Sequence, residues 1–194
     1  MDENIKKIGL PSWSENDQQF AKALQTLMGA EEPEGLATEL AGITPDLEQP
    51  ISGGSDDIGD ISWNVPTVTL RYPSNVRGLQ GHHWSSAMAM ATPIAHKGVV
   101  QGARVMARTA LQLFMEPELV DEAWEYFNDV QTASMEYVSF IGPDDPPPVD
   151  LNKEIMDTYR PLLEQYYYDE NRFDTYLEQL GITYPTLPEP DPDH

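Results

Sequence analysis

The sequence has no cysteine among its 194 residues. That excludes a disulfide frame and a thiolate metal site within the chain, and leaves histidine and carboxylate as its strong metal ligands. Histidine is itself scarce, at His82, His83, His96 and His194. Cations are few as well: 11 Lys and Arg stand against 33 Asp and Glu, for a formal charge of -22. A surface of that sign repels phosphate backbones and anionic headgroups, so nucleic acid and membrane surface are disfavoured as partners. It suits an ordinary acidic cytosolic protein first, and adaptation to high salt second. No apolar run approaches the roughly 20 residues that span a bilayer. The start, Met1-Asp2-Glu3-Asn4, lacks a basic region followed by an apolar core. The expectation is a cytoplasmic protein.

Familiar catalytic signatures are missing too. There is no phosphate loop, no dinucleotide fingerprint and no His-Glu-x-x-His helix. No Gly-x-Ser-x-Gly elbow surrounds Ser55, which argues against a serine hydrolase. Strand signals are sparse: only residues 65–72 alternate clearly, with Val68, Leu70 and Tyr72 on one face and Thr67, Thr69 and Arg71 on the other. A lone strand cannot satisfy its backbone donors and acceptors, so its neighbours are expected to lie outside this chain.

Helices are better marked. Ser14 as N-cap, Phe20, Ala21, Leu24, Leu27 and Met28 at helical spacing, and Gly29 as a stop predict an amphipathic helix. Residues 30–49 are acidic, punctuated by Pro33, Gly35 and Pro45, and read as a surface connection with a short turn near Leu36. Thr92-Pro93 opens a long helix ending near Phe114. Its expected apolar stripe is Ala95, Val99, Ala103, Met106, Ala110 and Leu113, with Gly98 and Gly102 small enough for a sheet to approach. Pro117 opens another, with Leu119, Val120, Ala123, Trp124 and Phe127 as its buried side. Beyond a Pro-rich break at 142–148, Ile155, Tyr159, Leu162, Leu163 and Tyr166 form a further helical pattern, interrupted or restarted at Pro161.

Candidate chemistry concentrates between Ser52 and Trp84. Gly53 and Gly54 permit a tight turn, and Ser55, Asp56 and Asp57 carry side chains that bond neighbouring N–H groups. Asp56, Asp57 and Asp60 can bind a cation, but the spacing of a calcium loop is absent, and capping of nearby N–H groups in the turn is the favoured local reading. A neutral imidazole on a loop, as at His82 and His83, is a metal-ligand type and also an ordinary hydrogen-bonding one. His96, near the start of the long helix, faces either a cleft or solvent.

The ordered combination GGSDDIGDISWNVPTVTLRYP, then GHHW, then IAHKG opening a helix resembles the C-terminal part of the aminobenzoyl-glutamate utilization protein B group. These are amidohydrolases of the metallopeptidase family that also holds aminoacylases and glutamate carboxypeptidases. The likeness runs from Leu10-Pro11-Ser12-Trp13 to the Pro-rich stretch near Pro146. It implies an α/β fold: the half of a metallopeptidase-type α/β sandwich that follows the lid, helix-rich with few strands of its own. It divides the chain into a lead-in at 1–50, the catalytic half-domain at 51–145 and a C-terminal extension at 146–194.

By the same resemblance, His82 ligates one metal, and Ser55, Asp56 and Asp57 form the turn beside the site. His83 occupies a variable position, and His96 stands in the helix-opening His-Lys-Gly; both are grouped with that turn as substrate-side or supporting residues. The complete family site holds two divalent ions, Zn or Mn, and cleaves a small-molecule amide. The upstream ligand cluster, the bridging carboxylate, the general-base Glu and the lid histidine have no counterpart here. The implied enzyme is therefore incomplete in this chain. Its partner would be the missing N-terminal catalytic half or another chain supplying it, and a homodimer is compatible with the family. The alternative reading is a non-catalytic binding or assembly module.

Overall fold

The computed structural model describes residues 1–42 and 56–187. Their regular elements are helical: α1 (Asp2–Ile8), α2 (Glu15–Leu27), α3 (Ile58–Ser62), α4 (Trp84–Met90), α5 (Pro93–Met115), α6 (Glu118–Tyr126), α7 (Lys153–Leu163) and α8 (Tyr176–Gln179). A π-helical turn, Phe127–Gln131, extends α6, and a 3-10 turn, Glu164–Tyr166, extends α7.

The two clearest helices begin as their sequences demand. At α2 the Ser14 hydroxyl accepts the Asp17 N–H at 3.2 Å, and the Asp17 carboxylate accepts the Ser14 N–H at 2.7 Å, a reciprocal capping box. At α5 the Thr92 hydroxyl accepts the Ile94 N–H at 3.3 Å, and Pro93, which has no N–H to lose, takes the first turn. The core forms where these helices meet: Phe20, Ala21, Leu24, Leu36, Val76, Ala89 and Ile94 are buried together, with Trp13, Met28, Leu79 and Tyr184 packed around them.

Amide side chains tie the loops to this core. Gln25 receives the Gly35 N–H at 2.7 Å and donates to the Arg77 carbonyl at 3.1 Å, while Gln18 bonds both backbone groups of Leu36. The acidic connection is therefore pinned along α2, without the short helical turn expected near Leu36. Helix α1 lies against α5, where buried Asn4 donates to Thr109 and Gln112 and accepts from Arg108.

The expected α/β architecture is not what is found. Among the described residues there is no β-strand, so an α/β sandwich half must be corrected to a helical fold. Residues 66–74 run without helix, turn or bend, and their backbone N–H and carbonyl groups make no backbone hydrogen bond among the described residues. Alternation reports a half-buried extended segment; a strand also needs a neighbour to pair with. Gly98 and Gly102 do serve close approach, but to this segment. A Cβ on Gly98 would stand 2.2 Å from the Pro73 carbonyl oxygen and 2.5 Å from Ser74 Cα, and one on Gly102 would stand 3.3 Å from Tyr72 Cβ.

Of the expected α5 stripe only Ala95 is buried among the described residues. The buried positions are Ile94, Ala95, Gly98, Gly102, Val105 and Thr109, whereas Val99, Ala103, Met106, Ala110 and Leu113 are exposed. Phe127 is buried beside α6, but Val120 and Trp124 are exposed, and so are Ile155, Tyr159, Leu162, Leu163 and Tyr166 of the tail. Helix α7 continues through Pro161.

Candidate functional site

His82 sits at the tip of the turn that leads into α4, exposed to solvent, with φ 55. It is the one non-glycine residue with a left-handed backbone among those described. Such a conformation is uncommon outside glycine, although histidine adopts it more readily than most, and it clusters at functional loops. The next residue is used differently. His83 caps α4: its Nδ1 receives the Ser85 N–H at 3.3 Å and lies 2.8 Å from the Ser85 hydroxyl, and its ring packs 5.0 Å from the Trp84 ring. Of the adjacent pair, one imidazole is engaged in building the helix start and the other is presented outward.

Two of the three carboxylates are engaged locally. Asp56 accepts the Ile58 N–H at 3.0 Å and Asp60 accepts the Tyr137 hydroxyl at 2.5 Å, while Asp57 stands at the N-cap of α3 without a side-chain capping bond. Ser55 lies outside the described residues, as do Gly53 and Gly54. His96 is exposed on the first turn of α5. It borders a cleft of about 500 Å³ closed on its other side by Glu178, Ile182 and Tyr184 from the C-terminal segment. Among the described residues no three His, Asp or Glu side chains converge as a metal cluster. A structural or catalytic zinc needs at least three protein ligands. The described residues of this chain therefore do not assemble a dinuclear centre alone.

One charged cluster has little signature in the sequence. Asp17, fully buried, accepts from Lys97 Nζ at 2.5 Å, from the Tyr184 hydroxyl at 3.1 Å and from Ser14. Burial is the largest influence on its carboxyl and pushes it up, but the bonds from Lys97, Ser14 and Tyr184 together outweigh it and hold the carboxyl below the ordinary carboxylate value. Burial, then the Asp17 charge, pushes the Tyr184 phenol well above its usual range. The Tyr184 ring lies 5.5 Å from Phe20. This arrangement ties α2, α5 and the C-terminal segment together, and it gives the lysine of His-Lys-Gly a role: Lys97 neutralises the buried carboxylate, and Gly98 admits the loop. Its members lie 80 and 167 residues from Asp17, and the capping box is its one sequence trace.

No family model matches the chain, and no solved structure does. A curated protein does: the B subunit of p-aminobenzoyl-glutamate hydrolase from Escherichia coli (strain K12) is 25% identical over 150 residues, covering 65% of this chain. The chain spans under a third of that relative, 31% of its length. With the loop, turn and helix-opening motifs falling in order along the sequence, this chain is a distant relative of the p-aminobenzoyl-glutamate hydrolase B-subunit group.

Proposed function

We propose that this chain is the C-terminal portion of a metal-dependent amidohydrolase, acting on an aminobenzoyl-glutamate or acyl-amino-acid type of amide, and that it works only when another polypeptide completes it. The observation that carries this is the surface. The chain exposes 15656 Å². A folded monomer of 21.8 kDa exposes about 9,300 Å² by the usual scaling. Large apolar side chains stand in that surface: Phe140 is 99% exposed, Val149 87% and Phe114 86%. Apolar exposure on that scale is a face that another polypeptide covers.

In the completed site His82 would supply one metal ligand from the outward turn before α4, held by the capped helix start behind it. A divalent metal there supplies Lewis acidity and an activated water. The residues of this chain orient the histidine and wall the cleft; the remaining ligands and the base belong to the completing polypeptide. A second reading, a non-catalytic assembly module, is favoured by the lack of a three-ligand cluster among the described residues.

Co-expression with the part of the E. coli relative outside the aligned stretch separates the two. Hydrolysis of aminobenzoyl-glutamate with Mn²⁺ or Zn²⁺ is expected from the complex and absent from the chain alone. A complex that takes up metal normally but shows no amide cleavage leaves the module reading standing instead.

A further inference from the structure

Helix α7 is built to bury one side and buries none. Ile155, Tyr159, Leu162 and Leu163 fall on a single face, with Tyr166 of the following turn in line, yet no residue of the helix is buried. At 11 residues, with Pro161 inside, it is shorter than the helices that hold themselves in water; such a helix draws its stability from a covered apolar face. It also lies beyond Pro146, where the likeness to the B-subunit group ends, so the remaining length of that relative gives no reason to expect its seat there.

A seat of matching size stands open on the same chain. The cleft of about 730 Å³ between α5 and the extended run is lined by Ile61, Val68, Leu70, Val99 and Met106. Along α5 it reaches from Gly98 to Met106, about 12 Å at 1.5 Å per residue, which is also the span from Ile155 to Leu163. Arg71 is the one charged residue lining this cleft and makes no ion pair among the described residues. Asp60, the carboxylate nearest to it along the chain, is engaged by Tyr137. The extension carries the opposite sign: eight Asp and Glu from Asp144 to Glu170 stand against Lys153 and Arg160, and Lys153 is already paired with Asp157. Helical spacing puts Glu154 and Thr158 along one flank of the α7 apolar face, and Met156 and Arg160 along the other.

We infer that α7 of one copy docks in the α5 cleft of a second copy, which returns the contact with its own α7 and closes a two-fold dimer. Knob and seat belong to one sequence, so each molecule offers both halves of the contact, the self-complementarity that a closed pair requires. Neither half is used within the chain, where the α7 stripe and the cleft residues Ile61, Val68, Val99 and Met106 all stay exposed. The mode is a helix laid in an apolar groove, read by anchors three and four residues apart. Charge sets the orientation: the Glu154 flank is the one that meets Arg71, with Arg160 turned to the other side. The contact goes beyond amide cleavage and does not involve His82.

Sedimentation of the full chain across micromolar concentrations tests this. The mass should double and stop there. Leu162→Asp on the helix and Met106→Asp in the cleft should each weaken the dimer at least tenfold. Both side chains are exposed in the single chain, so the unfolding midpoint at dilutions where the parent is monomeric should be unchanged and serves as the folding control. Arg71→Glu and Glu154→Arg should each weaken association by about threefold or more, and the double variant should restore it, which a loss of fold does not do. A chain that stays monomeric throughout overturns the inference, and slow amide exchange in α7 of that monomer assigns the seat to the chain's own cleft instead. A dimer indifferent to both Asp variants lies elsewhere on the surface and overturns it as well. Mass that climbs past the dimer overturns the reciprocal pairing in favour of head-to-tail growth.

Discussion

At Asp17, the depressed carboxyl makes stability depend on pH in a definite direction. A carboxyl lowered on folding stabilises fully above its unfolded value, near 4, and that contribution is lost as pH falls through the folded value. Asp17→Asn should cost about 2 kcal/mol at neutral pH, because it removes the charge that Lys97 and Tyr184 face. The gap between parent and variant should then close as pH falls below about 4, which thermal unfolding from neutral to acid pH measures. His82 invites a different comparison. Its backbone at φ 55 suits glycine, so His82→Gly should leave the fold as stable or improve it by up to about 1 kcal/mol. In the completed assembly the same change should lower metal content and amide hydrolysis together. Unchanged metal stoichiometry and turnover there would remove His82 from the site.

Among the elements, α5 carries the sharpest contrast. Gly98→Ala should destabilise by roughly 1–3 kcal/mol despite alanine's better helix propensity, since the new methyl meets backbone atoms of Pro73 and Ser74. Gly102→Ala meets only the Tyr72 side chain at 3.3 Å, and its cost should be near zero; denaturant midpoints of the two variants decide. Helices α2 and α5 are legible in sequence because caps are local: Ser14 with Asp17, and Thr92 with Pro93, mark their starts within four residues. The buried side of α5 is not, because hydrophobicity favours Val99, Met106 and Leu113, whereas the core takes the small and polar Gly98, Gly102 and Thr109. Alternation at 65–72 is readable as extended chain, but pairing is a property of two segments, and the second is not among the described residues. At the site, the Gly-His-His-Trp motif places His82 and His83 on a loop before a helix. Which imidazole caps and which points outward depends on φ at His82, which composition does not encode.

For the whole molecule, a charge of -22 on a chain with so much exposed apolar surface sets two opposed tendencies. Self-repulsion loosens the fold at low ionic strength, and screening relieves it within a Debye length of about 10 Å at 0.1 M salt. The unfolding midpoint of the isolated chain should therefore rise as NaCl increases, followed by circular dichroism. Binding of a hydrophobic dye should be strong for the isolated chain and fall when the completing polypeptide is present. No helix among the described residues is long and apolar enough to cross a membrane. The bond between Asp17 and Tyr184 adds a constraint in time. It joins positions 167 residues apart, and at translation rates of 5–20 residues per second roughly 10–30 s pass between the emergence of the two groups. Until Tyr184 leaves the ribosome, the Asp17 carboxylate and the Phe20 ring wait without their last neighbour. The nascent chain spends that interval with its core ajar, when a chaperone or the completing polypeptide has its widest opportunity to engage.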